Sequence, residues 1–166
     1  MDQQIAQVLQ GLPAELITFI IAALPVVELR GAIPFAVWAA SIPWPWAYLL
    51  SVAGNLLPVP FLLLGLEPAS RWLRRWRIWD RFFTWLFERT RRRGRLVERY
   101  EALGLMLFVS IPLPVTGAWT GCVAAFIFGI RFRLAMPAVL AGVLIAGVVV
   151  TLATLGVISG VTLFTG

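Results

Sequence analysis

Residues 14–40, AELITFIIAALPVVELRGAIPFAVWAA, decide the fold, because two charges and a glycine interrupt an apolar run before it can cross a bilayer. The first part, residues 14–27, reaches roughly 21 Å at about 1.5 Å per residue, short of the roughly 30 Å hydrocarbon core. A second short apolar part, residues 32–40, ends in Ser41-Ile42-Pro43-Trp44-Pro45-Trp46, a turn suited to the membrane interface. Two short helices joined by a polar tip, Glu28-Leu29-Arg30-Gly31, describe a re-entrant hairpin that enters and leaves by one face. Such a tip is tolerated at depth only where it is buried in protein or lines a wet cavity.

The composition agrees with lipid as the main solvent. The chain has 166 residues, enough for one domain, and 60% of them are hydrophobic, against roughly 45–50% in soluble domains. A soluble fold of this size cannot hide so much apolar surface. All 14 basic residues are arginine and the net charge is +6. That charge lies beside apolar segments, so membrane lipids rather than nucleic acid are the expected counterion. A single cysteine, Cys122, and the absence of histidine exclude an internal disulfide and a Cys/His metal site. Cys122 reads as a small buried apolar residue. No nucleophile and base pair, metal cluster or phosphate-cradling loop is present, so neither an enzyme nor a cofactor is expected. Met1-Asp2-Gln3-Gln4 has no basic region ahead of the first apolar run, and no cleaved signal peptide is expected.

Residues 47–66 are uncharged and long enough to span, despite Pro58 and Pro60. Residues 71–99 then carry eleven arginines against Asp80, Glu88 and Glu98, a local net charge of +8, which makes this segment cytoplasmic by the positive-inside rule. Trp72, Trp76, Trp79, Phe83 and Leu86 recur there at helical spacing with arginines between them, the pattern of an amphipathic helix on a membrane surface. The earlier pattern returns with residues 102–111, a broken tip from Pro112 to Gly121, and an apolar return over residues 122–130. Arg131 and Arg133 bring the chain back to the basic side, and residues 134–161 cross again.

The reading is therefore a single all-α integral membrane domain over residues 1–166. It is an inverted repeat, each half a re-entrant helical hairpin plus one transmembrane helix. The halves cover about 14–66 and 101–161, joined by the cytoplasmic Arg-rich segment 67–100, with both termini outside. Arg30-Gly31-Ala32 and Thr116-Gly117-Ala118 share a Gly-Ala step at matching places. Inverted repeats whose broken helices meet near the midplane are a recurring transporter plan. The expected location is a bacterial or archaeal cytoplasmic (inner) membrane. Two crossings and two hairpins leave one chain little material to enclose a pathway, which is compatible with a homodimer.

Glu28 and Arg30 are the only charges between Glu15 and Glu67. Ionisable residues at membrane depth cost about 2.5–3.5 kcal/mol each on insertion scales, so they read as functional, with a purely structural ion pair as the alternative. Arg30 can hold a phosphate or carboxylate bidentately without losing its charge, whereas Glu28 can bind and release a proton. The second tip has no charge. Pro112 and Pro114 release backbone groups, Thr116 and Thr120 add hydroxyls, Trp119 an indole, and Gly117 and Gly121 permit close approach. Packing between the hairpins alone would also explain these residues.

Glu28-Leu29-Arg30-Gly31-Ala32-Ile33-Pro34 and Pro112-Leu113-Pro114-Val115-Thr116-Gly117-Ala118-Trp119-Thr120-Gly121 together resemble the paired signatures of the family known as putative small multidrug export proteins. Val115 departs from the glycine the pattern would place there. The family is similar in plan to the wider DedA (VTT-domain) superfamily. That resemblance implies movement of lipids or lipid phosphates, proton coupling in some members, and roles for an acidic residue and an arginine, types matched by Glu28 and Arg30. The expected function is a transporter or flippase for a small or lipid-linked anionic substrate, coupled to protons. Its site is Glu28, Arg30, Gly31 and Pro34, with the second tip as an opposing gate. One rival is efflux of cationic drugs, with Glu28 pairing to the substrate; another is a non-transporting membrane scaffold.

Overall fold

The computed structural model describes residues 12–73, 95–112 and 117–165. Among them every regular element is helical: α1 (Ala14–Ala23), α2 (Glu28–Pro34) continued by a π-helical turn (Phe35–Ala39), α3 (Trp44–Leu56), α4 (Pro58–Leu73), α5 (Arg95–Ser110), α6 (Ala118–Ile127) and α7 (Phe132–Thr165). Most of the Arg-rich amphipathic segment, residues 74–94, lies outside the described residues.

Prolines, not charges, set the breaks. Pro25 disfavours helix at the residue before it, and Leu24 is extended (φ −75, ψ 138) with its N–H turned back onto the Ile21 carbonyl at 3.2 Å. The non-helical link is therefore residues 24–27, and Glu28-Leu29-Arg30-Gly31 is the opening turn of α2 rather than the tip. Glutamate and arginine are good helix formers, so their charge does not interrupt a helix that proline has not already broken. The same correction applies further on. α5 starts at Arg95 and runs through Tyr100 and Glu101 before the apolar run, and it stops at Ser110, ahead of Pro112. Residues 118–121, placed in the broken tip from sequence, form the first turn of α6.

Two helical stretches, Trp44–Leu66 and Phe132–Val157, are long and apolar enough to cross a membrane. Pro58 heads α4, where its missing N–H deprives no helical partner, so the first stretch survives it. Leu140, Leu144, Val148 and Leu152, four residues apart on α7, are each more than a third exposed, while Val139, Val143, Ala146 and Val150 are buried. An apolar stripe turned outward suits a lipid surround.

Contacts divide the chain into two compact units, one of residues 1–55 with 146–166 and one of residues 56–145. In the first, α1 packs against α2 and the π-helical turn. α3 crosses α1 at Gly54, where a Cβ would overlap the Phe19 carbonyl oxygen. The C-terminal part of α7 approaches α3 at Gly147, where a Cβ would lie 2.8 Å from the Tyr48 ring. In the second unit α6 packs against α4 and α5. The fully buried Cys122 thiol points at the Val59 carbonyl, 3.9 Å away. A Cβ at Gly142 of α7 would lie 2.6 Å from the Val109 Cβ on α5. Both units thus rely on glycine for helix contact, as expected where lipid removes the hydrophobic drive between helices.

Candidate functional site

Glu28 opens α2 with an unusual backbone. Its φ is +49, in the left-handed region, and the residue is not glycine. Such a conformation costs on the order of 1–3 kcal/mol and persists only where the surroundings impose it. Here the turn at residues 25–27 delivers the chain to α2, and the Glu28 N–H donates to the Leu24 carbonyl at 3.2 Å. The residue is only 5% exposed. Its Oε2 lies 3.6 Å from Nη2 of Arg30, whose side chain is about a quarter exposed (26%). The pair is thus graded, with a buried acid beside a base that reaches outward.

Gly31 and Pro34 shape the same helix. A Cβ on Gly31 would overlap the Val27 side chain one turn back, and Val27 is stiff at χ1. The Gly31 N–H donates to Val27 O at 3.2 Å. Pro34 has no N–H to offer the Arg30 carbonyl, and the helix widens just after it into the π-helical turn, closed by the Ala40 N–H on Phe35 O at 3.0 Å. π-Turns recur at functional sites. Glu28, Arg30, Gly31 and Pro34 are therefore brought together in one turn-and-a-half of helix.

The second break is polar but uncharged. α5 ends before Pro112, and Pro114 and Thr116 lie outside the described residues. Gly117 is extended, and its carbonyl accepts from the Gly121 N–H at 2.8 Å and from the Thr120 hydroxyl at 3.3 Å. Trp119 and Thr120 stand half-buried on the opening turn of α6. Among the described residues no cluster of potential metal ligands occurs.

Two further features were not singled out from sequence. Ser51 and Asn55, one turn apart on α3, have an enclosed Oγ and Oδ1 without a hydrogen-bond partner. The signal was available as two polar residues within an uncharged span. In the second unit, a groove of about 480 Å³ is lined by Glu101, Gly104, Leu105, Phe108, Ala124 and Phe128. It is apolar apart from one carboxylate.

Interrupted helices beside two membrane-length apolar stretches, with a buried acid and an arginine at the start of α2, describe a small all-helical membrane protein. The family described as "Putative small multi-drug export protein" matches residues 28–149, most of the chain from the start of α2 onward, and the chain belongs to that family. The family is named for export and not for a reaction. No curated protein and no solved structure matches the chain.

Proposed function

We propose that this chain is a secondary transporter of a bacterial or archaeal cytoplasmic membrane. Glu28 carries a coupling proton, and Arg30 contacts an anionic, phosphate-bearing small or lipid-linked substrate. The observation that carries the reading is Glu28 itself, an acid 5% exposed, held in left-handed backbone and facing an arginine that reaches outward. A titratable group is costly to keep there unless its protonation is used. Arg30 offers a fixed planar charge suited to phosphate oxygens. The topology that goes with this reading is two re-entrant hairpins in inverted repeat, the termini outside and residues 71–99 in the cytoplasm.

The test is reconstitution in liposomes with a panel of phosphorylated lipids, small organic phosphates and cationic dyes, with and without a pH gradient. Gradient-dependent movement of a phosphate-bearing compound is the expected result; movement of cationic dyes alone would replace this reading with the next.

The groove on the second unit favours a second reading, export of lipophilic cations, because apolar walls with Phe108, Phe128 and one carboxylate suit such compounds. A Cβ on Gly104 meets nothing within 4 Å, so a side chain can leave α5 there, and Gly104→Leu narrows the groove. On that reading Gly104→Leu abolishes dye transport while leaving thermal stability unchanged, and retained dye transport rules the groove out.

A further inference from the structure

α6 and α7 are joined by the short turn Phe128 to Arg131. Gly129 stands there in the left-handed region (φ +66), and the Phe128, Gly129 and Ile130 N–H groups donate to the Ala124, Phe126 and Ala125 carbonyls at 2.9, 3.1 and 2.8 Å. A glycine in that conformation closes a helix by turning the following N–H groups back onto its last carbonyls. The Arg131 carbonyl then accepts from the Leu134 and Ala135 N–H groups, both at 2.9 Å, and opens α7. Arg131 is thereby fixed as an exposed residue between the two helices.

A cavity of about 300 Å³ lies at this turn, lined by Leu63 and Leu64 of α4, Phe126 of α6, and Gly129 to Phe132. Arg131 is the one charged side chain among the described lining residues. The membrane-length stretch Trp44–Leu66 ends just beyond Leu64, and the stretch Phe132–Val157 begins at Phe132. Both stretches thus bring an end to this cavity, which sets it at headgroup level. Leu64 and Phe132 are 60% and 40% exposed, so its apolar wall opens towards lipid. The end of α6 and the start of α7 carry opposite partial charges of about half a unit each. These offset one another, and the whole charge of the guanidinium decides the sign of the site.

We infer that the cavity holds an anionic phospholipid, its phosphate on the fork of Arg131 and the start of an acyl chain along Leu64, Phe126 and Phe132. Basic pockets between helices at a membrane surface take such headgroups, and arginine suits phosphate oxygens. A zwitterionic lipid brings a cation for which no acidic side chain lines the cavity among the described residues. Free phosphate would use Arg131 alone and leave the apolar walls bare, and water gains little from such walls. The inference goes beyond the transport reading. It concerns a resident lipid of the second unit, whereas Glu28 and Arg30 belong to the first.

The experiment photolyses the full chain in detergent with phosphatidylglycerol carrying a photoreactive group at the start of one acyl chain, and the labelled peptides are identified by mass spectrometry. Peptides holding residues 63–64 and 126–132 are expected to label saturably. Unlabelled phosphatidylglycerol should compete, whereas phosphatidylcholine and glycerol phosphate should need at least about tenfold more. Arg131→Gln should weaken labelling there about tenfold. Arg133→Gln, an equal loss of charge outside the cavity, should weaken it by about twofold or less. Labelling over residues 71–99, with their eleven arginines, should be the same in both variants and is the internal reference. If Arg131→Gln does not fold, Leu64→Trp, which adds bulk to the cavity wall at an exposed position and keeps every charge, should lower the labelling instead. No saturable labelling of the wild type overturns the inference, as does equal competition by phosphatidylcholine or by glycerol phosphate. Equal losses in Arg131→Gln and Arg133→Gln overturn it too, and so does Leu64→Trp that labels like the wild type.

Discussion

Glu28 combines three costs that a residue kept for packing avoids: a carboxylate 5% exposed, a left-handed φ of +49, and a place in a helix inside an apolar stretch. Its charge and its setting were legible in the sequence, as was its pairing with Arg30. The strained backbone was not, because it arises from how the turn at residues 25–27 feeds α2, and no residue type announces it. The strain can be measured. Asparagine tolerates the left-handed region better than glutamine, so Glu28→Asn should be more stable than Glu28→Gln by about 1 kcal/mol. Thermal unfolding in detergent checks this, and equal stabilities would show that the backbone stores no strain there. Arg30 is proposed as an anion contact on its chemistry alone. Arg30→Gln is expected to weaken binding of a phosphate-bearing substrate, and Arg30→Lys to restore it only in part, for want of the planar fork.

At the scale of elements, the first break was expected at Glu28 to Gly31 and lies at residues 24–27, whereas the second was expected from Pro112, where α5 has indeed ended, but closes sooner, at Ala118. Hydropathy marks where charge enters an apolar run, yet a helix tolerates Glu28, Arg30 and Glu101 and yields at Pro25 and Pro112. The π-helical turn after Pro34 was likewise hidden, since it follows from one absent N–H and not from any periodicity. Helix contacts give a contrast that tests the packing directly. At Gly54 the obstacle to a Cβ is the Phe19 carbonyl, which is backbone and has little freedom to yield. Gly54→Ala is expected to destabilise the protein by about 1–3 kcal/mol. At Gly65 a Cβ meets nothing within 4 Å, so Gly65→Ala should be neutral or stabilising by roughly 0.5–1 kcal/mol, as for glycine in a helix interior. Similar melting temperatures for the two variants would mean that α3 does not cross α1 at Gly54 as described.

For the whole molecule, family membership rests on residues 28–149, and both membrane-length stretches carry the apolar surface that lipid requires. The proposed orientation rests on arginine placement. In a Cys122→Ala background, a cysteine at position 80 should react with impermeant thiol reagents only after the cytoplasmic side is opened. Labelling in intact cells would reverse the topology. The central claim is that protonation of Glu28 drives transport, and Glu28→Gln addresses it most directly, because the amide keeps the shape and cannot titrate. In proteoliposomes with a substrate identified by the panel, Glu28→Gln should fold and bind that substrate yet show the same transport with and without a pH gradient. Gradient-driven transport at the wild-type rate in Glu28→Gln would contradict the account.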